Sequence, residues 1–220
     1  MFEKRINIFA GHYGSGKSEI AVNAAMIIKQ SNENVLMADM DIVNPFFRSV
    51  DARSMLEKLG IRVVAPLFAN TNVDVPALVP EISVALRNPD RSVILDVGGD
   101  EDGARVLGRY HNDIKECDYD MFLVINRARP LTRMLDETIQ YLEAIQIASR
   151  LKVTRLINNT HFLDQTSAED IQYGLELAHQ VSDKTGIPIA ATCIMGNICE
   201  AANLIDTPLF IIKKNIFLPF

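Results

Sequence analysis

The run Gly11-His12-Tyr13-Gly14-Ser15-Gly16-Lys17-Ser18 constrains the fold more than any other part of the chain. It fits the phosphate-loop (Walker A) pattern G-x-x-x-x-G-K-[ST], which works only between the end of a strand and the start of a helix. The flanks supply both. Ile6-Asn7-Ile8-Phe9-Ala10 reads as a buried strand, and Ile20, Ala21, Ala24, Ile27 and Ile28 recur at helical spacing behind the loop. Glycines let the backbone close around a phosphate with its N–H groups pointing inward. Lys17 reaches the β- and γ-phosphates, and the Ser18 hydroxyl holds Mg²⁺. The binding run is taken as Gly11 through Glu19. Lys17 is expected outside the core, so its loss should spare the fold.

The rest of the chain repeats the alternation. Apolar runs near 5–10, 35–39, 62–65, 92–96, 121–125, 153–157, 188–193 and 208–212 read as strands. Helical patterns lie near 17–30, 75–87, 130–149 and 167–185; the last carries a capping box, Thr166-x-x-Glu169, and stops at Gly186. Strands such as Val93-Ile94-Leu95 are apolar on both sides, as a parallel sheet covered on both faces requires. The expectation is α/β: a single doubly wound, mainly parallel sheet with helices on both faces, in one domain over 1–220. Ligands in such sheets bind at the carboxyl ends of the strands.

Two of those ends are acidic. The second strand ends in Asp39-Met40-Asp41, and the fourth in Asp96-Val97-Gly98-Gly99-Asp100. Mg²⁺ on a nucleotide keeps waters that want carboxylate acceptors, and hydrolysis needs a group to orient the attacking water. Asp96 reads as the outer carboxylate for the metal. Gly99 stands where a backbone N–H can touch a γ-phosphate. The alternative is that these aspartates cap turns or helices.

Together, the loop, the D-x-D after the second strand and the D-x-G-G after the fourth resemble the MinD/ParA/CooC-type P-loop ATPases (SIMIBI class) over nearly the whole chain. The resemblance implies ATP and Mg²⁺ as ligands, with Gly14, Gly16, Lys17 and Ser18 on phosphate and metal. It implies Asp41 as the water-positioning carboxylate and Asp39 as support for the metal. Residues 42–48 fall where that group has its first switch. An asparagine after the sixth strand reads the base with its amide; Asn158 is favoured over Asn159, and the loop Met195-Gly196-Asn197 closes over the base.

The chain departs from the group at one place. Where its members carry a second lysine that acts across a dimer, this chain has His12, followed by Tyr13. A neutral imidazole supplies no full charge. Arg127, Arg129, Arg133 and Arg48 are the other cations that could replace it. No cysteine follows Asp96 near Gly98-Gly99, so nothing favours a shared iron–sulfur cluster.

Bulk properties narrow the partners. A net charge of −6 argues against a protein that coats nucleic acid. Three cysteines without a CxxC suit a reduced, cytoplasmic protein with ordinary buried thiols. The opening Met1-Phe2-Glu3-Lys4-Arg5, leading straight into the first strand, reads as carrying no signal peptide, and no apolar stretch reaches the ~20 residues of a membrane span. The apolar tail from Phe210 reads as a final strand and packed end rather than a membrane helix. The leading expectation is a slow ATPase that pairs as a homodimer on ATP and switches a partner protein, such as a metalloenzyme under maturation. The alternatives are a metabolic enzyme of the dethiobiotin or cobyrinate type that activates a small carboxylate, and a nucleotide-binding module without turnover.

Overall fold

In the computed structural model, residues 1–41, 52–65, 79–195 and 205–216 are described. Eight strands form one sheet: β1 (Ile6–Ala10), β2 (Val35–Met40), β3 (Ile61–Val64), β4 (Ser92–Val97), β5 (Tyr119–Ile125), β6 (Arg155–Asn158), β7 (Ile189–Met195) and β8 (Leu209–Ile212). Their order is β3-β2-β4-β1-β5-β6-β7-β8, and every pairing is parallel. The helices are α1 (Lys17–Ser31), α2 (Arg53–Lys58), α3 (Pro80–Arg87), α4 (Glu101–Gly108), α5 (His111–Ile114), α6 (Leu135–Ser149) and α7 (Ala168–Thr185).

Alternation along the central strands sorts side chains into two cores. Ile6, Ile8 and Ala10 join Leu95, Leu123 and Leu156 on one face, with Leu107, Ile145 and Leu177 from the helices. Phe9, Ile94, Phe122, Val124 and Ile157 point the other way, onto Ile20, Ala21 and Ala24 of α1. Phe9 stacks on Phe122 with ring centroids 5.1 Å apart, and Phe2 meets both rings edge-on. The buried-on-both-sides reading of the strands therefore holds.

The chain reverses direction across the sheet next to β1, which opens a crevice at the carboxyl ends of β1 and β4. Register puts the chemistry at one level there. Asp96 of β4 lies beside Phe9 of β1 on one side and beside Asp39 of β2 on the other.

Several boundaries differ from the sequence expectation, each for a local reason. The cap of α7 is Ser167 with Asp170, not Thr166 with Glu169. Thr166 is already used: its Oγ1 accepts the Phe162 N–H and donates to the Leu163 carbonyl. Helix α6 starts at Leu135 rather than 130, because the chain from Asn126 first makes a tight loop; the Thr132 hydroxyl donates to the Asn126 carbonyl. Helix α3 starts at Pro80 among the described residues. Helix α4 was hidden by its glycines. A Cβ on Gly103 would lie 2.5 Å from the Gly98 Cα, so the helix can approach the β4 tip only there.

Strand β8 closes the sheet, with Phe210 and Ile212 buried and Leu209 and Ile211 exposed, as expected of a final strand. Among the described residues, no helix is long and apolar enough to cross a membrane.

Candidate functional site: the loop after β1

Strand β1 delivers the chain into the loop, and α1 starts at Lys17. Gly14 and Gly16 take φ of 77° and 84°, the left-handed region where a Cβ is strained. Two carbonyls of the loop are held by side chains that follow other strands. Gly14 O accepts from Asn126 Nδ2 (3.3 Å) and Arg129 Nε (3.2 Å), and Ser15 O accepts from Asn159 Nδ2 (2.7 Å). Gly11 is tightly packed: a Cβ would lie 2.7 Å from Val124 O. Gly99 lies against the loop, where a Cβ would come within 2.8 Å of Tyr13 N. Tyr13 is half exposed, and Ser15 is buried.

Lys17 is not outside the core. Only 5% of it is exposed, and its Nζ lies 3.1 Å from Asp41 Oδ2. Burial alone would pull its pKa down; the carboxylates of Asp96, Asp41 and Asp39 outweigh that and hold it above the ordinary lysine value. The Asp41 N–H in turn donates to Asp39 Oδ1 at 3.0 Å. Thus the loop lysine and the three strand-end carboxylates form one buried cluster.

Asp96 is completely buried, and neither carboxylate oxygen has a hydrogen bond of good geometry. Burial pushes its pKa up to about 7, against the pull of Lys17 and of the nearby Ser18 hydroxyl, with Asp39 pushing further upward. A buried carboxyl so poorly supplied with hydrogen bonds, beside the loop, is the kind of acceptor that the waters of a bound metal ion satisfy. The acidic side chains do not make a cage by themselves: among the described residues no three His, Cys, Asp or Glu groups could hold a metal ion. Mg²⁺ needs no such cage, since it is bound by one or two carboxylates plus substrate phosphates.

On the other side of Lys17 opens a cavity of about 360 Å³. Gly14, Gly16, Lys17 and Ser18 form one end of its wall; Ile171, Met195 and Ile212 form an apolar stretch. Asn159 is on the wall. Asn158 is wholly buried elsewhere, its Nδ2 donating to Ile171 O and its Oδ1 accepting the Thr160 N–H. The structure therefore gives Asn158 a structural task and brings Asn159 to the cavity.

Glu19 also differs from expectation. It borders the cavity, but its carboxylate accepts from the Asn215 and Ile216 backbone N–H groups and from the Asn215 and Asn23 amides. It ties the segment after β8 to α1.

His12 packs edge-on against Tyr141, with centroids 5.9 Å apart. Burial, and less strongly the Lys17 charge, lower its pKa, so it is neutral at pH 7. Sequence reasoning missed His161. Its Nδ1 accepts the Leu163 N–H, which assigns the proton to Nε2 on the cavity wall. Burial and then the Arg129 charge push its pKa down to about 4. A signal was available, since it stands three residues beyond the tip of β6. Residues 42–48, Gly196-Asn197, Arg48 and Cys199 lie outside the described residues. Cys193 is a buried free thiol, its pKa raised by burial.

No family model matches the chain, and no curated protein matches it. Among solved structures it is similar to the cell division protein FtsY of Thermotoga maritima (21% identity, TM-score 0.57, covering 86% of this chain and 61% of that one). It is also similar to chloroplast FtsY of Physcomitrella patens (18%, 0.58, 88% and 59%) and to FtsY of Mycoplasma mycoides (19%, 0.52, 86% and 60%). The chain spans about three fifths of the length of each. At these identities the likeness is one of architecture: the chain shares the α/β fold of those proteins.

Proposed function

We propose that the chain binds ATP with Mg²⁺ in the loop after β1 and hydrolyses it slowly, as a nucleotide-driven switch for a partner protein, like the MinD/ParA/CooC-type ATPases it resembles. The observation that carries this reading is Lys17, a buried cation held among strand-end carboxylates on the wall of a ligand-sized cavity. Its Nζ is paired with Asp41 Oδ2 at 3.1 Å. A γ-phosphate competes for the same ammonium group. When the phosphate wins, Asp41, just past the end of β2, is released to orient a water. That exchange turns phosphate arrival into movement, which is what a switch needs.

The remaining roles follow from placement. Backbone N–H groups of Gly14 through Ser18 hold the phosphates. Ser18 and Asp96 would hold Mg²⁺, with Asp39 in support, and the metal when bound would neutralise phosphate charge. The apolar wall suits the face of a base, and Asn159, in place of Asn158, would supply the polar contact there. The loop face would be the one shared when two subunits pair on ATP and the one offered to the partner protein.

Calorimetry with ATP, ADP and AMP in Mg²⁺, together with phosphate release, tests the reading. Tight binding and slow turnover without added metabolite are expected. Turnover that requires a small carboxylic acid would transfer the site to the metabolic type. Binding without any turnover would make it a nucleotide-binding module, and no nucleotide binding would end the proposal.

A further inference from the structure

Position 12 of the loop carries a histidine and no fixed cation, and the structure distinguishes among the described arginines that could supply one; Arg48 lies outside the described residues. His12 is neutral at pH 7, as above. Arg127 is committed elsewhere: its Nη1 donates to Tyr173 O and pairs with Glu176, and its guanidinium lies 3.6 Å over the Tyr173 ring. Arg133 is exposed on the surface. Arg129 alone of these reaches the phosphate loop. Its Nε donates to Gly14 O at 3.2 Å, and a Cβ on Gly14 would lie 3.4 Å from its Cζ. It shares the cavity wall with Gly14, Gly16, Lys17 and Ser18. Among the described residues it forms no ion pair, and its Nη1 and Nη2 donate to no protein group.

The Nε contact matters for aim. A guanidinium is a planar fork. Fixing its inner edge on the loop's own carbonyl fixes the direction of the two terminal amino groups, which share the delocalised charge. Asn126 holds the same carbonyl, so the loop keeps one anchor without Arg129. The arginine is therefore more than a strut for Gly14.

We propose that Arg129 places its positive charge on the phosphates of the bound nucleotide from within the same subunit, so that the site is electrostatically complete in one chain and needs no cation from a second copy. This rests on the nucleotide reading above. The ligand chemistry it selects is a phosphate chain of two or more groups, since a nucleoside offers the guanidinium nothing to pair with.

The test is calorimetric titration of wild type, Arg129→Gln, Arg129→Lys and Arg133→Gln with ATP and with adenosine, at two protein concentrations. A charge-assisted contact of this kind is worth ~10- to 100-fold in affinity. Arg129→Gln should weaken ATP by about that factor and leave adenosine unchanged. Arg129→Lys, which keeps the charge but not the Nε contact that aims it, should recover part of the loss, and Arg133→Gln should behave as wild type. The ATP loss in Arg129→Gln should be the same at both protein concentrations, because the cation comes from the same chain. Equal ATP affinity in Arg129→Gln and wild type overturns the proposal. So does an equal loss for ATP and adenosine, which would mean that Arg129 only shapes the loop. A loss that appears only at the higher concentration, where two copies pair, also overturns it, by placing the guanidinium on the partner copy's nucleotide. A wild type that binds no nucleotide removes the function reading itself, a result distinct from any of these. Thermal melting of each variant checks that it is folded.

Discussion

Lys17→Ala should unfold more easily than wild type, and the deficit should depend on pH. Lys17 and Asp41 form an ion pair 3.1 Å apart with side chains only 6% and 3% exposed. Removing one partner of such a pair leaves a buried charge uncompensated and costs ~3–5 kcal/mol. For a chain of this size each kcal/mol lowers the melting temperature by about 2–4 °C, so a drop on the order of 10 °C is expected near neutral pH. The sign of the pH effect follows from Asp96. Its pKa is already raised to about 7 with Lys17 present, and without that cation it rises further. Between the unfolded carboxyl value near 4 and that raised value, the folded state binds more protons than the unfolded one, so stability falls as pH increases. Lys17's own pKa is raised, so its contribution is fully present below about 10.5 and does not vary between pH 5 and 8. The gap between variant and wild type should therefore be widest at pH 8 and narrow toward pH 5. Thermal melts in chelator without nucleotide measure it. Identical melting at pH 8, or a gap that does not narrow with acid, would refute the account of a lysine held by its carboxylates.

Asp41→Asn should keep Mg·ATP bound but slow phosphate release by roughly 10²-fold, the usual worth of a positioned base; a larger effect from Asp39→Asn would reverse their roles. Asn159→Ala frees the Ser15 carbonyl and should weaken ATP binding in calorimetry. Asn158→Ala should instead cost ~1–3 kcal/mol in melting, since it leaves the buried Thr160 N–H without its acceptor; equal effects on both readouts would contradict the division of labour. Glu19→Gln loses the carboxylate that accepts the Asn215 and Ile216 N–H groups. Hydrogen exchange at those two amides should accelerate, and unchanged protection would show that β8 packing alone holds them.

The fold was largely legible because parallel strands and the phosphate loop write themselves in runs: each apolar run became a strand within a few residues of its expected ends. Asn158 and Asn159 show where legibility stopped. Asn158 ends β6 and Asn159 comes next, and neighbouring residues along a strand direction face opposite ways. Which face belongs to the cavity depends on which side α1 covers. Ile157 packs into the core with α1 and Leu156 into the other core, so parity sends Asn159 toward the loop and Asn158 toward α7. That fact lives in the packing of distant segments, not in the local sequence.

The same limit explains Lys17 and Glu19. A lysine after glycines reads as an exposed, waiting cation, because nothing nearby in sequence neutralises it. Its partners arrive from 24 residues away in Asp41 and from the far strand β4 in Asp96. Glu19 finds its donors 196 residues away. In each case a charge placed early in the chain is balanced by groups that only the finished sheet brings near. A phosphate site built this way is assembled by folding and held ready by internal pairs. Its ligand must displace those pairs, and the ease of that exchange sets how far nucleotide binding is felt beyond the loop.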